Sequence, residues 1–356
     1  MIFPEISGLE KPRAVIARML ASERIPHALL FHGPEGTGKR TVALLLASSM
    51  FCERPRVDRS ACGTCLACAK AAHGNHPDRL IVTRLPKSES RGAAEDEDGA
   101  ESGDGELKTF IVVDQIRELA EHAAFAPREG LRRVFIVDPA DRMNPAAQNA
   151  LLKTLEEPPG QALIVLIASR PHLLFPTVRS RCFQLGFAAM APDALAEALI
   201  ARGMGRDEAR TRAALAEGRP GRAMTLDLAE TARRRDTILS SLEALATSPA
   251  GVAGMSGFVE ALLGDDETAT LEGLEMSTAL LRDAARAAAG SGQLLHADLA
   301  PRVNRLGVAL GAGRAGALVV LFDRLRGDLR FNVNKTLLAE SLLAAVAGGP
   351  VPVLGA

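Results

Sequence analysis

The sequence predicts an α/β domain built on a parallel sheet, followed by two helical domains. Three observations carry this expectation. Short apolar runs rich in β-branched residues alternate with helical patterns through the first half of the chain. The first run ends in a glycine-rich loop that opens a helix. Beyond about Phe187 the strand patterns stop, and Ala-rich helical segments continue to the C-terminus.

The elements follow in order. An amphipathic helix with its approach occupies residues 1–27, and the run Ala28–Phe31 is the first strand. A helix is expected from about Lys39 to Met50. Further strands are expected at 79–85, 132–138 and 162–168, with a weaker one at 181–187. Helical patterns lie between them at about 112–125 and 145–157. Strands that alternate with helices build a sheet covered on both faces, which is why the runs are apolar throughout. The segment 86–108 interrupts this order: it is acidic, Gly- and Ser-rich and poor in large apolar groups, so it is expected to be a disordered insertion. Domain boundaries are placed at 1–187, 188–247 and 248–356, with SPAGVAGMSG (248–257) as a linker.

Composition narrows the function. Aromatic residues make up 3% of the chain, with no Trp and no Tyr, which argues against single-strand nucleic-acid binding on stacked aromatic platforms. The net charge of −1 conceals a split: the segment from Lys87 to Lys108 carries −5, leaving +4 elsewhere. A mildly basic folded part permits contact with a phosphate backbone without requiring it. There is no signal-peptide pattern and no run of about 20 apolar residues, so no membrane partner and a cytoplasmic location are expected.

Residues 33–41 read GPEGTGKRT, the spacing of a phosphate-binding loop between a strand and a helix. Gly33, Gly36 and Gly38 let backbone N–H groups curl around phosphates beside Thr37. The helix N-terminus adds positive potential, and Lys39 reaches the terminal phosphates. One position departs. The residue after the lysine should carry a hydroxyl for Mg²⁺, but Arg40 stands there and Thr41 comes one place later, rotated by about 100° on a helix. The loop therefore either binds ATP without the usual magnesium geometry or is vestigial. The apolar run 134–137 delivers Asp138, the expected magnesium-side acid, but Pro139 follows where a glutamate would orient the attacking water. Asp141 reads as a loop or capping acid.

Four of the five cysteines, Cys52, Cys62, Cys65 and Cys68, lie within 17 residues directly after the P-loop helix. Four soft ligands with a tight turn at Gly63 suit a closed structural Zn²⁺ site. An iron–sulfur cluster is the rival, but the C-P that would complete a ferredoxin run is absent. His73 and His76 read as surface residues, and Cys182 as a small buried side chain.

Taken together, GPEGTGKRT, the four-cysteine insertion, NPAAQNALLKTLEEPP (144–159) and TVRSRC (177–182) resemble the bacterial DNA polymerase III clamp-loader subunits of the AAA+ class. The resemblance covers essentially the whole chain and weakens in the C-terminal helices. It implies an AAA+ P-loop domain, a small helical lid and an all-α collar. It also implies that Ser180-Arg181-Cys182 presents Arg181 as a trans arginine finger to ATP bound by a neighbouring subunit; a structural surface arginine is the alternative. Lys39-Arg40, Asp138-Pro139 and Gly221, at the place of a lid arginine, all depart from the gamma/tau motor pattern and resemble the delta-prime branch. Arg222 lies next to that place. The resemblance further implies motor (gamma/tau) and delta subunits as partners, and sliding clamp and primer-template DNA as indirect ones. The chain alone is expected to hydrolyse little ATP while serving the polymerase III holoenzyme, a nucleotidyltransferase complex, in DNA replication. Two rival readings stay open: an active gamma/tau-type ATPase, and a zinc-containing DNA-binding protein with a vestigial P-loop.

Overall fold

A computed structural model describes residues 9–86, 108–158, 160–247, 255–263, 267–290, 294–328 and 335–347. The expected acidic insertion and most of the expected linker lie outside the described residues. The two flanks of the insertion meet: the Lys108 N–H donates to the Leu85 carbonyl at 2.7 Å.

Five strands form one parallel sheet: β1 (Ala28–His32), β2 (Arg79–Val82), β3 (Arg133–Val137), β4 (Ala162–Ala168) and β5 (Phe183–Gly186), in spatial order 2-3-4-1-5. The expected strands are all present: β4 has the expected bounds, β1 is one residue longer, and β2, β3 and β5 are shorter than expected. Strand residues alternate between two cores. Leu29, Phe31, Val134, Ile136, Leu163 and Val165 pack on one face with α1 (Glu10–Ala21), α2 (Lys39–Phe51) and α3 (Leu66–His73). Leu30, Phe135, Val137, Ile164 and Leu166 pack on the other with α4 (Val113–Ala123) and α5 (Pro145–Glu156). All seven residues of β4 are buried, so its sequence ALIVLIA has no polar face to display.

α5 begins as its sequence dictates. The Asn144 carboxamide oxygen accepts the Ala147 N–H at 2.8 Å, and Pro145 occupies the first turn. Ala147, Leu151 and Leu155 form its buried stripe. Four short helices follow in chain order: α6 (Pro176–Arg179), α7 (Pro192–Ile200), α8 (Arg206–Leu215) and α9 (Pro220–Thr225). The helices α10 (Leu228–Thr247), α11 (Met255–Leu263), α12 (Glu267–Ala288), α13 (Ala300–Asp328) and α14 (Lys335–Val346) share a core that includes Leu242, Phe258, Leu280, Leu318, Phe322 and Leu342.

By contacts the chain divides into two units, one of residues 1–203 with 218–222 and one of 204–217 with 223–356. The division runs through the segment expected as a separate lid. Among the described residues one stretch, Ala297–Arg326, is long and apolar enough to cross a membrane by length and composition, against the expectation of no such run. Here it packs with α12, buries Leu306, Leu318 and Phe322, and is broken at Gly311, whose φ is 71°.

A buried carboxylate fixes the loop before β3. Asp78 accepts N–H bonds from Arg128, Glu129 and Gly130 at 2.7–2.8 Å. Burial alone would push its pKa up, but these three donors outweigh burial and hold it below its ordinary value of 3.8. Its contribution to stability is therefore present above pH 3.8 and lost as pH falls through the lowered value. Asp78→Asn should cost about 3 kcal/mol near neutrality, because one accepting oxygen becomes an NH₂ facing N–H groups. Urea unfolding should also show a flatter acid limb for the variant; equal stability of the two proteins near neutral pH would contradict this.

Candidate functional site

The phosphate loop lies at the C-terminal end of β1, where the strand order places β4 on one side and β5 on the other. Ligands of open α/β sheets gather at such a switch point. Gly33, Gly36 and Gly38 have φ of 141°, 75° and 89°, values that L side chains rarely adopt. At Gly33 space is also exhausted: a Cβ would stand 1.9 Å from the Phe187 carbonyl oxygen. Lys39 is buried and donates to the Gly33 and Pro34 carbonyls, both at 2.6 Å. Thr37 is buried and donates its hydroxyl to Pro34 at 2.8 Å. Burial, with a contribution from the nearby Arg219, holds the Lys39 pKa below its ordinary value, against the pull of Glu35, Asp138 and Asp141. The same burial, then Lys39, lowers His32.

Asp138 lies just past β3. Its Oδ2 is 3.1 Å from the Arg40 Nη1, so the arginine that displaces the magnesium hydroxyl pairs with the acid from the magnesium side. Burial raises the Asp138 carboxyl; Arg40 opposes that rise. Thr41 is exposed on α2, one place beyond Arg40. Asp141 is buried and accepts the Arg170 N–H at 3.0 Å, the structural use expected of it.

The segment 218–222 folds onto the loop. The Gly221 N–H donates to the Gly36 carbonyl at 2.8 Å. A Cβ at 221 would stand 3.0 Å from that same oxygen, so this close approach leaves little room for a side chain. Of the two arginines flanking Gly221, Arg219 is the one whose field is felt at Lys39.

The candidate arginine finger follows α6. Arg181 Nη2 pairs with Glu156 Oε1 at 2.6 Å, and its Nη1 donates to the Thr177 carbonyl at 3.0 Å. The Ser180 hydroxyl also donates to Thr177, at 3.1 Å. Cys182 is buried, and burial pushes its thiol up to about 12, so it serves as a neutral core group. Gln148, a buried polar residue on α5, braces this region. Its carboxamide donates to the Met143 and Leu173 carbonyls and accepts the Phe175 N–H at 2.7 Å, tying the start of α6 to α5.

The four clustered cysteines come together. Their sulfurs lie within 4.8 Å of one another, with Cys52–Cys65 at 4.0 Å and Cys62–Cys68 at 3.9 Å. A tetrahedral ion with metal–sulfur bonds of about 2.3 Å needs sulfurs about 3.8 Å apart, so the set fits a closed metal site. Backbone N–H groups already point at the sulfurs: Cys62 at Cys52, Thr64 and Cys65 at Cys62, and Cys68 at Cys65, over 3.2–3.4 Å. The Thr64 N–H and hydroxyl, with the Cys65 N–H, pull Cys62 down to about 5, while burial pushes Cys68 up to about 12. None of the five cysteines is paired in a disulfide. His73 is exposed as expected. His76 is not: it is buried and stacked on Phe51 with ring centroids 3.9 Å apart, because the end of α2 supplies an aromatic face there. Neither histidine belongs to the sulfur cluster.

Residues 9–191 match the family model described as "DNA polymerase III, delta subunit". The DNA polymerase III subunit delta' of Escherichia coli is 30% identical over 325 residues, covering 90% of this chain and 88% of its own length. The chain belongs to the bacterial DNA polymerase III clamp-loader family. Other relatives in this clamp-loader family match over shorter spans. The delta' subunit of Pseudomonas aeruginosa is 38% identical over 177 residues, about half of either chain (49% and 48%). The gamma/tau subunit of Mycobacterium bovis is 36% identical over 200 residues, 56% of this chain but 31% of that one. The parallel sheet carries the P-loop, and the described residues of this clamp-loader subunit beyond β5 are helical.

Proposed function

We propose that this chain is the delta-prime-type member of the loader: it completes the ring and presents Arg181 to ATP bound by a neighbouring gamma/tau-type motor. One observation carries the reading. The chain keeps Arg181 on a braced turn while its own nucleotide site has the Asp138 carboxylate occupied by Arg40 and a proline at 139. A site without a hydroxyl for magnesium and without a water-orienting acid lacks the positioning that phosphoryl transfer depends on. A guanidinium aimed at developing phosphate charge in another subunit supplies what that subunit cannot. The chain would therefore act through an ATPase partner, with the delta subunit, sliding clamp and primer-template DNA further along the same assembly, in the bacterial cytoplasm. Its three blocks, 1–187, 188–247 and 248–356, would serve as AAA+ domain, lid and collar.

The metal is proposed to be Zn²⁺, held by Cys52, Cys62, Cys65 and Cys68 in a structural role, since four thiolates leave no open coordination position. The direct test of the functional reading is ATPase activity of the purified chain alone, of a motor subunit alone, and of the assembled loader with clamp and DNA. The assembled complex should turn over fast and this chain hardly at all. Hydrolysis by the isolated chain at the rate of the assembly would reverse the assignment in favour of an active motor.

A further inference from the structure

A phosphate loop of this type ordinarily works with Mg²⁺, held by the hydroxyl after the loop lysine and the acid at the end of the β3-type strand. The residues present do not fit that ion. The hydroxyl position carries Arg40, and Asp138 Oδ2 is engaged by Arg40 Nη1 at 3.1 Å. Pro139 contributes no oxygen from a side chain. Mg²⁺ demands near-ideal octahedral oxygen coordination and tolerates crowding poorly. A guanidinium on its best carboxylate excludes it by both charge and volume.

The anion-binding parts are nevertheless kept. The loop glycines hold the positive φ values that curl N–H groups inward, and α2 starts at Lys39 with its N-terminus at the loop. Among the described residues, the backbone N–H groups of Glu35, Thr37, Gly38, Lys39 and Arg40 donate to no other backbone carbonyl. The Arg40 side chain is 54% exposed, and its planar fork offers five N–H donors, of which the Asp138 contact uses one. The remaining donors match phosphate oxygens in the way a guanidinium does best. Burial makes an unpaired Asp138 carboxylate costly, so the pair is a stable part of the site.

We infer that Arg40 takes the place of the divalent cation, and that this loop binds a nucleoside polyphosphate without magnesium. The inference rests on reading the loop as a non-hydrolysing nucleotide site. It is measured on the full chain by itself, so a failure of the Arg181 role in the assembly would leave it standing, and the reverse.

The experiment is calorimetric titration of the purified chain with ATP and with ADP, in EDTA and in MgCl₂. The dissociation constants should agree within about threefold between the two buffers. Arg40→Ser restores a hydroxyl and frees Asp138, so magnesium should then tighten ATP by about tenfold or more. Arg40→Lys keeps a cation beside Asp138 and should stay magnesium-independent, which guards against the serine variant failing to fold. Circular dichroism checks that both variants are folded. Magnesium tightening of the unmodified chain by about tenfold, or absence of ATP binding in both buffers, overturns the proposal. So does an Arg40→Ser protein that folds and remains indifferent to magnesium.

Discussion

Replacing Arg181 by alanine should slow ATP turnover at the neighbouring site it is proposed to serve by about 10³-fold or more, the range measured for arginine fingers. That loss corresponds to about 4 kcal/mol of transition-state stabilisation. The present partners of Arg181 are far weaker competitors. Glu156 and Arg181 are half-exposed, and such surface pairs contribute about 0–1 kcal/mol. Arg181 can therefore leave Glu156 for a phosphate at little cost, while the Ser180 hydroxyl on the Thr177 carbonyl and the Gln148 bonds keep its turn in place. Glu156→Gln should change turnover by no more than about fivefold. Arg181→Lys should not rescue, since an ammonium lacks the planar fork. The measurement is steady-state ATPase of the reconstituted loader with clamp and DNA. A loader carrying Arg181→Ala at full activity would sink the finger role.

Loss of one cluster thiolate should give the largest stability effect in the chain. Cys65 is buried, caps α3 by accepting the Cys68 N–H, and sits 4.0 Å from the Cys52 sulfur. Cys65→Ser removes one thiolate from the cluster while its hydroxyl can still cap α3. The expected cost is about 3–5 kcal/mol, in the class of metal-site losses, and a loss of about 3 kcal/mol lowers Tm by about 6–12 °C in a unit of this size. Strong chelation of the unmodified protein should shift Tm in the same direction, because binding energy at such a site is folding energy. Native mass spectrometry should find one zinc per chain before chelation. A metal-free native mass together with an unshifted melt in Cys65→Ser would reduce the cluster to four packed thiols.

Much of this molecule is legible in the sequence because its signals are local. β4 reads as a strand buried on both faces, and Asn144-Pro145 reads as a helix start. The cysteine spacing reads as one cluster, since three ligands fall within seven residues and the fourth ends the preceding helix. What could not be read depends on partners distant in sequence. Arg40 and Asp138 are 98 positions apart, so the sequence shows a missing hydroxyl but not what fills its place. The role of Gln148 has no local signature, because its partners Leu173 and Phe175 lie beyond β4. His76 seemed a surface residue for the same reason: only the fold brings the Phe51 ring over it. The close approach of Gly221 to Gly36 likewise has no local signature.

Helix α2 begins at the loop lysine and is followed directly by Cys52. Its thirteen residues span about 19 Å of rigid rod. Phosphate loop and thiolate cluster thus share a single rotational phase. An inserted residue between Cys52 and Cys62 would only lengthen a surface turn, whereas one inside α2 would swing the first sulfur by about 100° out of its tetrahedron. Lys39, Arg40 and the first cysteine of the cluster thus sit at opposite ends of one rigid element. Natural variation in this protein should accumulate in the turn and leave the length of the rod untouched.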